Sequence, residues 1–75
     1  MELVVLDCRG QRCPLPVITL ARAIPDVPVG DTIRVLADDP AAAVDIPAWC
    51  RMRGHTFIGE TSHDDTPAFD VRRDG

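Results

Sequence analysis

A chain of 75 residues is one domain near the lower size limit for a self-supporting core, and it leaves little room to enclose a small-molecule substrate. The formal net charge is −4, and all eight basic residues are arginines scattered from Arg9 to Arg73, which argues against direct nucleic-acid binding, because that affinity rests on clustered cations. An apolar fraction of 45% excludes disorder, and Asp7 and Arg9 interrupt the early apolar run, so neither a secretory leader nor a membrane span is expected.

In chain order, Leu3-Val4-Val5-Leu6 is a short apolar run with β-branched residues in its middle, and it reads as a strand covered on part of both faces. Cys8 to Arg12 turns through Gly10. Pro14 has no N–H and a fixed φ, which suits the first position of a helix and makes Cys13 its expected N-cap. Along this helix Val17, Leu20, Ala21 and Ile24 recur at helical spacing as the buried stripe, while Leu15, Ile18, Thr19 and Arg22 point largely outward. Pro25 stops it.

Thr32 to Ala37 alternates as a second strand, with Ile33 and Val35 on one face and Arg34 and Leu36 on the other. Asp38-Asp39-Pro40 reads as an acidic cap followed by proline at the first helical position. Pro47 predicts that this second helix is kinked or restarted before it ends near Arg53 and Gly54. Phe57–Thr61 and Ala68–Arg72 read as two further strands, joined by a turn-rich segment, Ser62 to Pro67. The order βαβαββ over residues 1–75, with no repeat and no second domain, predicts an α/β two-layer sandwich: a four-stranded mixed sheet with two helices on one face. The other face, carrying Arg34, Leu36, Asp70 and Arg72, is read as plain solvent-facing sheet in preference to a docking face.

The three cysteines are an odd number, which argues against a closed disulfide framework and for a reducing, cytoplasmic setting. Cys13 is the chemically interesting one. A sulfur at a helix N-terminus beside Arg12 favours the thiolate, although Pro14 and Pro16 remove two N–H donors, so a modest lowering of its pKa is expected. Neither His55 nor His63 lies in a context that predicts contact with Cys13, so acyl transfer, which needs a base and an oxyanion site, is disfavoured against thiol exchange or sulfur transfer. Cys50, after Trp49, reads as core. Cys8 is either structural or a resolving thiol. The spacing of Cys8, Cys13, His55 and His63 does not fit a zinc site, and no metal is expected.

The residues Leu6-Asp7, Gly10, Cys13-Pro14-Leu15-Pro16-Val17, Gly30-Asp31, Ala37-Asp38-Asp39-Pro40-Ala41, Asp45-Ile46-Pro47 and Gly54-His55 resemble, in order, the TusA/SirA-like sulfur-carrier family. The resemblance implies the βαβαββ sandwich and a persulfide on Cys13. It implies sulfur accepted from a cysteine desulfurase or a rhodanese-like donor and passed to an acceptor thiol of a sulfur-relay protein, with no cofactor. Members serve tRNA thiolation, sulfur oxidation and molybdenum-cofactor metabolism. Gly10, Pro14 and Pro16 match the shaping positions of the motif, and Arg12 its charged neighbourhood. The first helix carries only Arg22 between Val17 and Asp31, so Leu15, Ile18 and Arg22 are the expected contact with partners, met by a monomer in transient complexes. The rival reading is a redox-responsive regulatory or binding module that uses Cys8 and Cys13.

Overall fold

The computed structural model describes residues 3–75 and contains two helices and four strands in the predicted order. Strand β1 is Val4–Asp7, β2 is Thr32–Leu36, β3 is Thr56–His63 and β4 is Thr66–Arg72; helix α1 is Leu15–Ala23 and α2 is Ala42–Arg53. The sheet order is β1-β2-β4-β3, with β1 and β2 parallel and the other two pairings antiparallel. Both parallel strands therefore end at the same edge of the sheet, and the loops that follow them, one carrying Cys13 and the other Asp38 and Asp39, meet there.

The alternation of β2 sends Ile33 and Val35, each 0% exposed, onto the helix side. Leu20 and Ile24 from the first helical region, Ile46 and Trp49 from α2, and Phe69 and Val71 from β4 complete the core, with Leu6, Val17, Ala21 and Phe57 packed at its margin. Each such aliphatic side chain contributes roughly 1.5–3 kcal/mol when fully buried, which lets so short a chain hold a two-layer fold. Cys8 and Cys50 are both part of this core.

The element boundaries depart from expectation in instructive ways. Pro25 does stop α1, but the chain continues as a 3₁₀ turn, Ile24–Asp26, which keeps Ile24 on the buried side. Helix α2 runs through Pro47 without restarting. Its approach from Pro40 is built of tighter turns, with the N–H of Ala42 donating to the Asp39 carbonyl and that of Ala43 to the Pro40 carbonyl, so Pro40 precedes the helix instead of opening it. Gly54 ends α2 at φ 78°, a left-handed position that a Cβ would penalise, and its N–H donates to the Cys50 carbonyl.

The β3–β4 hairpin is longer than predicted, because pairing continues to His63 and Thr66 and leaves a two-residue turn at Asp64 and Asp65. Both have positive φ (51° and 63°), as the turn that suits a twisted hairpin requires, and aspartate tolerates that region better than most residues.

The sheet face away from the helices is not simply solvent-facing. Arg34 and Asp70 pair across β2 and β4 with two hydrogen bonds of 2.8 and 2.9 Å, and both side chains are largely covered. Leu36, opposite Ala68, is 5% exposed and Ala68 is 0% exposed.

Candidate functional site

The stretch between β1 and α1 is shaped by short-range bonds before anything distant touches it. Arg9 folds back on Asp7 with guanidinium contacts of 2.8 and 2.6 Å, which holds the Asp7 carboxyl down at about 2. Gly10 then takes φ 80°, a conformation glycine adopts without strain. The N–H of Leu15 donates to the Arg12 carbonyl at 2.8 Å, closing a turn around Cys13 and Pro14, and the Cys13–Pro14 peptide is cis. The N-cap of α1 is Pro14, with Pro16 inside the first turn, so Cys13 stands one residue outside the cap position. The Leu15 N–H is thus spent on the Arg12 carbonyl and not on the sulfur.

Three carboxylates from the far side of the sequence hold this loop. Asp38 accepts the Gly10 N–H on both oxygens, at 3.1 and 3.2 Å. Asp39 accepts the Cys13 N–H at 2.8 Å on one oxygen and the Ala41 N–H at 3.0 Å on the other, so a single side chain ties the cysteine loop to the approach of α2. The expected helix-capping role is thereby replaced: α2 begins with Ala41 as its N-cap and no side-chain cap bond. Those two N–H groups, and then Arg12, hold the Asp39 carboxyl below the ordinary carboxylate value.

Asp45, in the first turn of α2, receives the Cys13 thiol itself. Sγ donates to Oδ2 at 2.7 Å. This contact, followed by partial loss of hydration and the negative charges of Asp45 and Asp39, pushes the Cys13 thiol above its ordinary pKa. The expected lowering is thus reversed. The helix dipole and Arg12 are present, but the nearest formal charges are carboxylates, and a hydrogen bond that needs the S–H favours the protonated form.

Of the predicted site residues, the structure brings Gly10, Arg12 and Cys13 into one surface loop, with Pro14 at the start of α1 and Pro16 buried beneath it. Gly10, Gln11 and Arg12 form one wall of a shallow cleft of about 460 Å³, and Asp38, Asp39 and Pro40 form the other. Leu15 (48% exposed) and Ile18 (39% exposed) lie on the outward side of α1 together with Arg22. Cys13 is exposed, whereas Cys8 and Cys50 are buried, and burial is the main cause raising both of their pKa values. Asp38, Asp39 and Asp45 are the residues that sequence reasoning passes over as site members. Their signal is their place in the Asp-Asp-Pro and Asp-Ile-Pro segments, which local reasoning explains as a helix start and as a kink or restart of that helix. Gln11 is passed over too; its Oε1 accepts the Thr19 hydroxyl at 3.2 Å and fastens the loop to α1.

Comparison with known proteins places this arrangement among relatives. A family model described as Sulfurtransferase TusA matches residues 4–73. A provisionally named sulfur carrier protein of Archaeoglobus fulgidus is 35% identical over 63 residues, covering 84% of this chain and 86% of that protein. The crystal structure of a SirA-like protein from Desulfitobacterium hafniense superposes with a TM-score of 0.79 at 20% identity, covering 99% of this chain and all of that one, and so shares its fold.

Proposed function

We propose, from the premise that this chain belongs to the TusA sulfurtransferase family, that it carries sulfur as a persulfide on Cys13. The observation that carries this reading is the contrast among its cysteines: Cys13 is exposed at the surface, while Cys8 and Cys50 are sealed in the core.

The chemistry is an exchange between sulfur atoms. The Cys13 thiolate attacks the outer sulfur of a donor persulfide; a bond forms between Sγ and that sulfur, the donor's own S–S bond breaks, and the donor leaves as a thiolate that takes up the proton Cys13 gave up. Oxidation levels are conserved overall, so no redox cofactor is needed. An acceptor thiolate then attacks the outer sulfur of the Cys13 persulfide and regenerates Cys13. The donor is a cysteine desulfurase or a rhodanese-like protein and the acceptor a relay protein with a reactive cysteine, in a reducing, cytoplasmic setting. These partners determine whether the sulfur reaches tRNA thiolation, sulfur oxidation or molybdenum-cofactor metabolism. Leu15 and Ile18 supply an apolar contact on the outward side of α1, with Arg22 at its edge. Cys8, at 0% exposure, offers no surface thiol for a switch with Cys13.

Intact-protein mass spectrometry with peptide mapping tests this after incubation with a cysteine desulfurase and cysteine. Gain of one sulfur on Cys13, removed by reductant and absent in Cys13→Ser, is expected. Failure to load, there and in a parallel incubation with a rhodanese-like persulfide donor, with Cys8 and Cys13 oxidising to a disulfide instead, would favour the redox module.

A further inference from the structure

We propose that Asp45 is a positioning residue that keeps the empty Cys13 protonated and turned onto α2, so that the free protein is a slow nucleophile until a partner engages it. The inference rests on the carrier reading for its purpose, but its physical content concerns only the thiol. The geometry is specific: Sγ meets Oδ2 at 2.7 Å across 32 residues of sequence, and the same cysteine's N–H is held by Asp39 at 2.8 Å. Backbone and side chain are therefore fastened to the same region by two different carboxylates, which fixes where the sulfur points.

The charged groups around the sulfur favour the same outcome. From the approach to α2 come Asp39 on the Cys13 amide and Asp38 on the Gly10 amide. From the cysteine loop, Arg9 is taken by Asp7, and the charge of Arg12 acts on Asp39. From α1 the start is proline-rich, and the nearby Thr19 and Gln11 are neutral and bonded to each other. Among the described residues, neither Asp39 nor Asp45 forms a salt bridge.

A thiol held this way is quiet in both halves of the exchange. While empty, few molecules hold the thiolate that must attack. Once loaded, Cys13 is the leaving sulfur when a stray thiol attacks, and a leaving thiolate of high pKa departs slowly. A donor or acceptor that draws Asp45 off the sulfur removes both brakes at once, which restricts transfer to the docked complex.

The test is the pH–rate profile of Cys13 alkylation by iodoacetamide, a neutral reagent, read by peptide mapping on the full chain. Asp45→Asn should move the midpoint to lower pH and lower the high-pH plateau modestly, because a less basic thiolate is a weaker nucleophile, so that the rate at neutral pH rises roughly three- to fourfold for every pH unit the midpoint moves. Asp45→Glu, which keeps the charge, should retain a midpoint above that of Asp45→Asn. An Asp45→Asn profile superimposed on the wild type, or displaced to higher pH, overturns the proposal. Should Asp45→Asn not fold, the wild type alone decides. The NMR titration midpoint of the Cys13 Cβ must lie above that of the same cysteine in a peptide spanning Arg9 to Val17, and a midpoint at or below the peptide's also overturns it. Neither measurement involves sulfur transfer, so failure of Cys13 to load with sulfur would sink the carrier reading and leave this result standing.

Discussion

The two ends of α2 each govern a cysteine, and they do so by different physics. At the N-terminal end, Asp45 in the first turn of the helix reaches out to an exposed Cys13 on another loop and raises its pKa chiefly through one hydrogen bond. At the C-terminal end, Cys50 is 1% exposed beside Trp49, and its thiol is pushed up to about 11 chiefly by burial. The direction of the change is the same and the reversibility is not. A hydrogen bond at the surface can be exchanged for another by a docking partner, whereas burial is undone only by opening the core. A raised pKa therefore does not by itself mark a sulfur as inert or reactive; access decides.

The largest effect that would sharpen this contrast lies at the C-terminal end. Trp49 is 6% exposed and stacks on His55 with ring centroids 5.4 Å apart, so Trp49→Ala should lower global stability by about 3–5 kcal/mol in urea unfolding. A loss below about 1 kcal/mol would mean that this end does not anchor the fold.

The next effect is alkaline. Because the folded pKa of Cys50 lies above its unfolded value, its contribution to stability is complete below about pH 8.5 and is lost as pH rises through about 11, a decline of roughly 1–3 kcal/mol. Urea midpoints followed across that window should fall more steeply for wild type than for Cys50→Ala, with Cys8 adding a background common to both. Equal slopes would contradict the assignment.

The smallest effect is local to the other end. The Asp39 carboxyl is held below its ordinary value, so its hold on the cysteine loop is complete above about pH 4 and lost as pH falls through the lower folded value. The amide proton shifts of Cys13 and Ala41 should titrate together in this acid range, and the dependence should vanish in Asp39→Asn while the urea midpoint barely moves. Independent titration of the two amides would show that one carboxylate does not bridge them.

Much of this architecture is legible in the sequence because it depends on short-range periodicity. Leu20 and Ile24 face the core as their spacing predicts, and the alternation of Ile33 and Val35 against Arg34 reads correctly along β2. Cys13 is legible from residue type and from its place before a proline-led helix. Its protonation is not, because the decisive group is 32 residues away and arrives only once the β1 and β2 loops meet at one edge of the sheet. The same holds for Asp38 and Asp39: a carboxylate before a helix has an adequate local explanation, and only the fold shows that each also bonds a backbone N–H of the cysteine loop. Leu36 illustrates the reverse error, since alternation gives its face correctly but cannot tell that Leu36 and its cross-strand neighbour Ala68 are both buried there.

The parallel pairing of β1 and β2 gives the molecule a front and a back. At the front lie the cysteine loop, its carboxylates and, through the bond from the Ala37 N–H to the Pro67 carbonyl, the base of the hairpin turn. At the back, the N–H of Gly30 donates to the Arg73 carbonyl, the Arg73 N–H donates to the Asp31 carbonyl, and the Arg73 guanidinium grips the carbonyls of Pro25 and Val27. Val29, 64% exposed within this braced segment, is thus a natural handle. A probe or surface attached there would leave the sulfur-bearing edge facing outward, like the tip of a held pen.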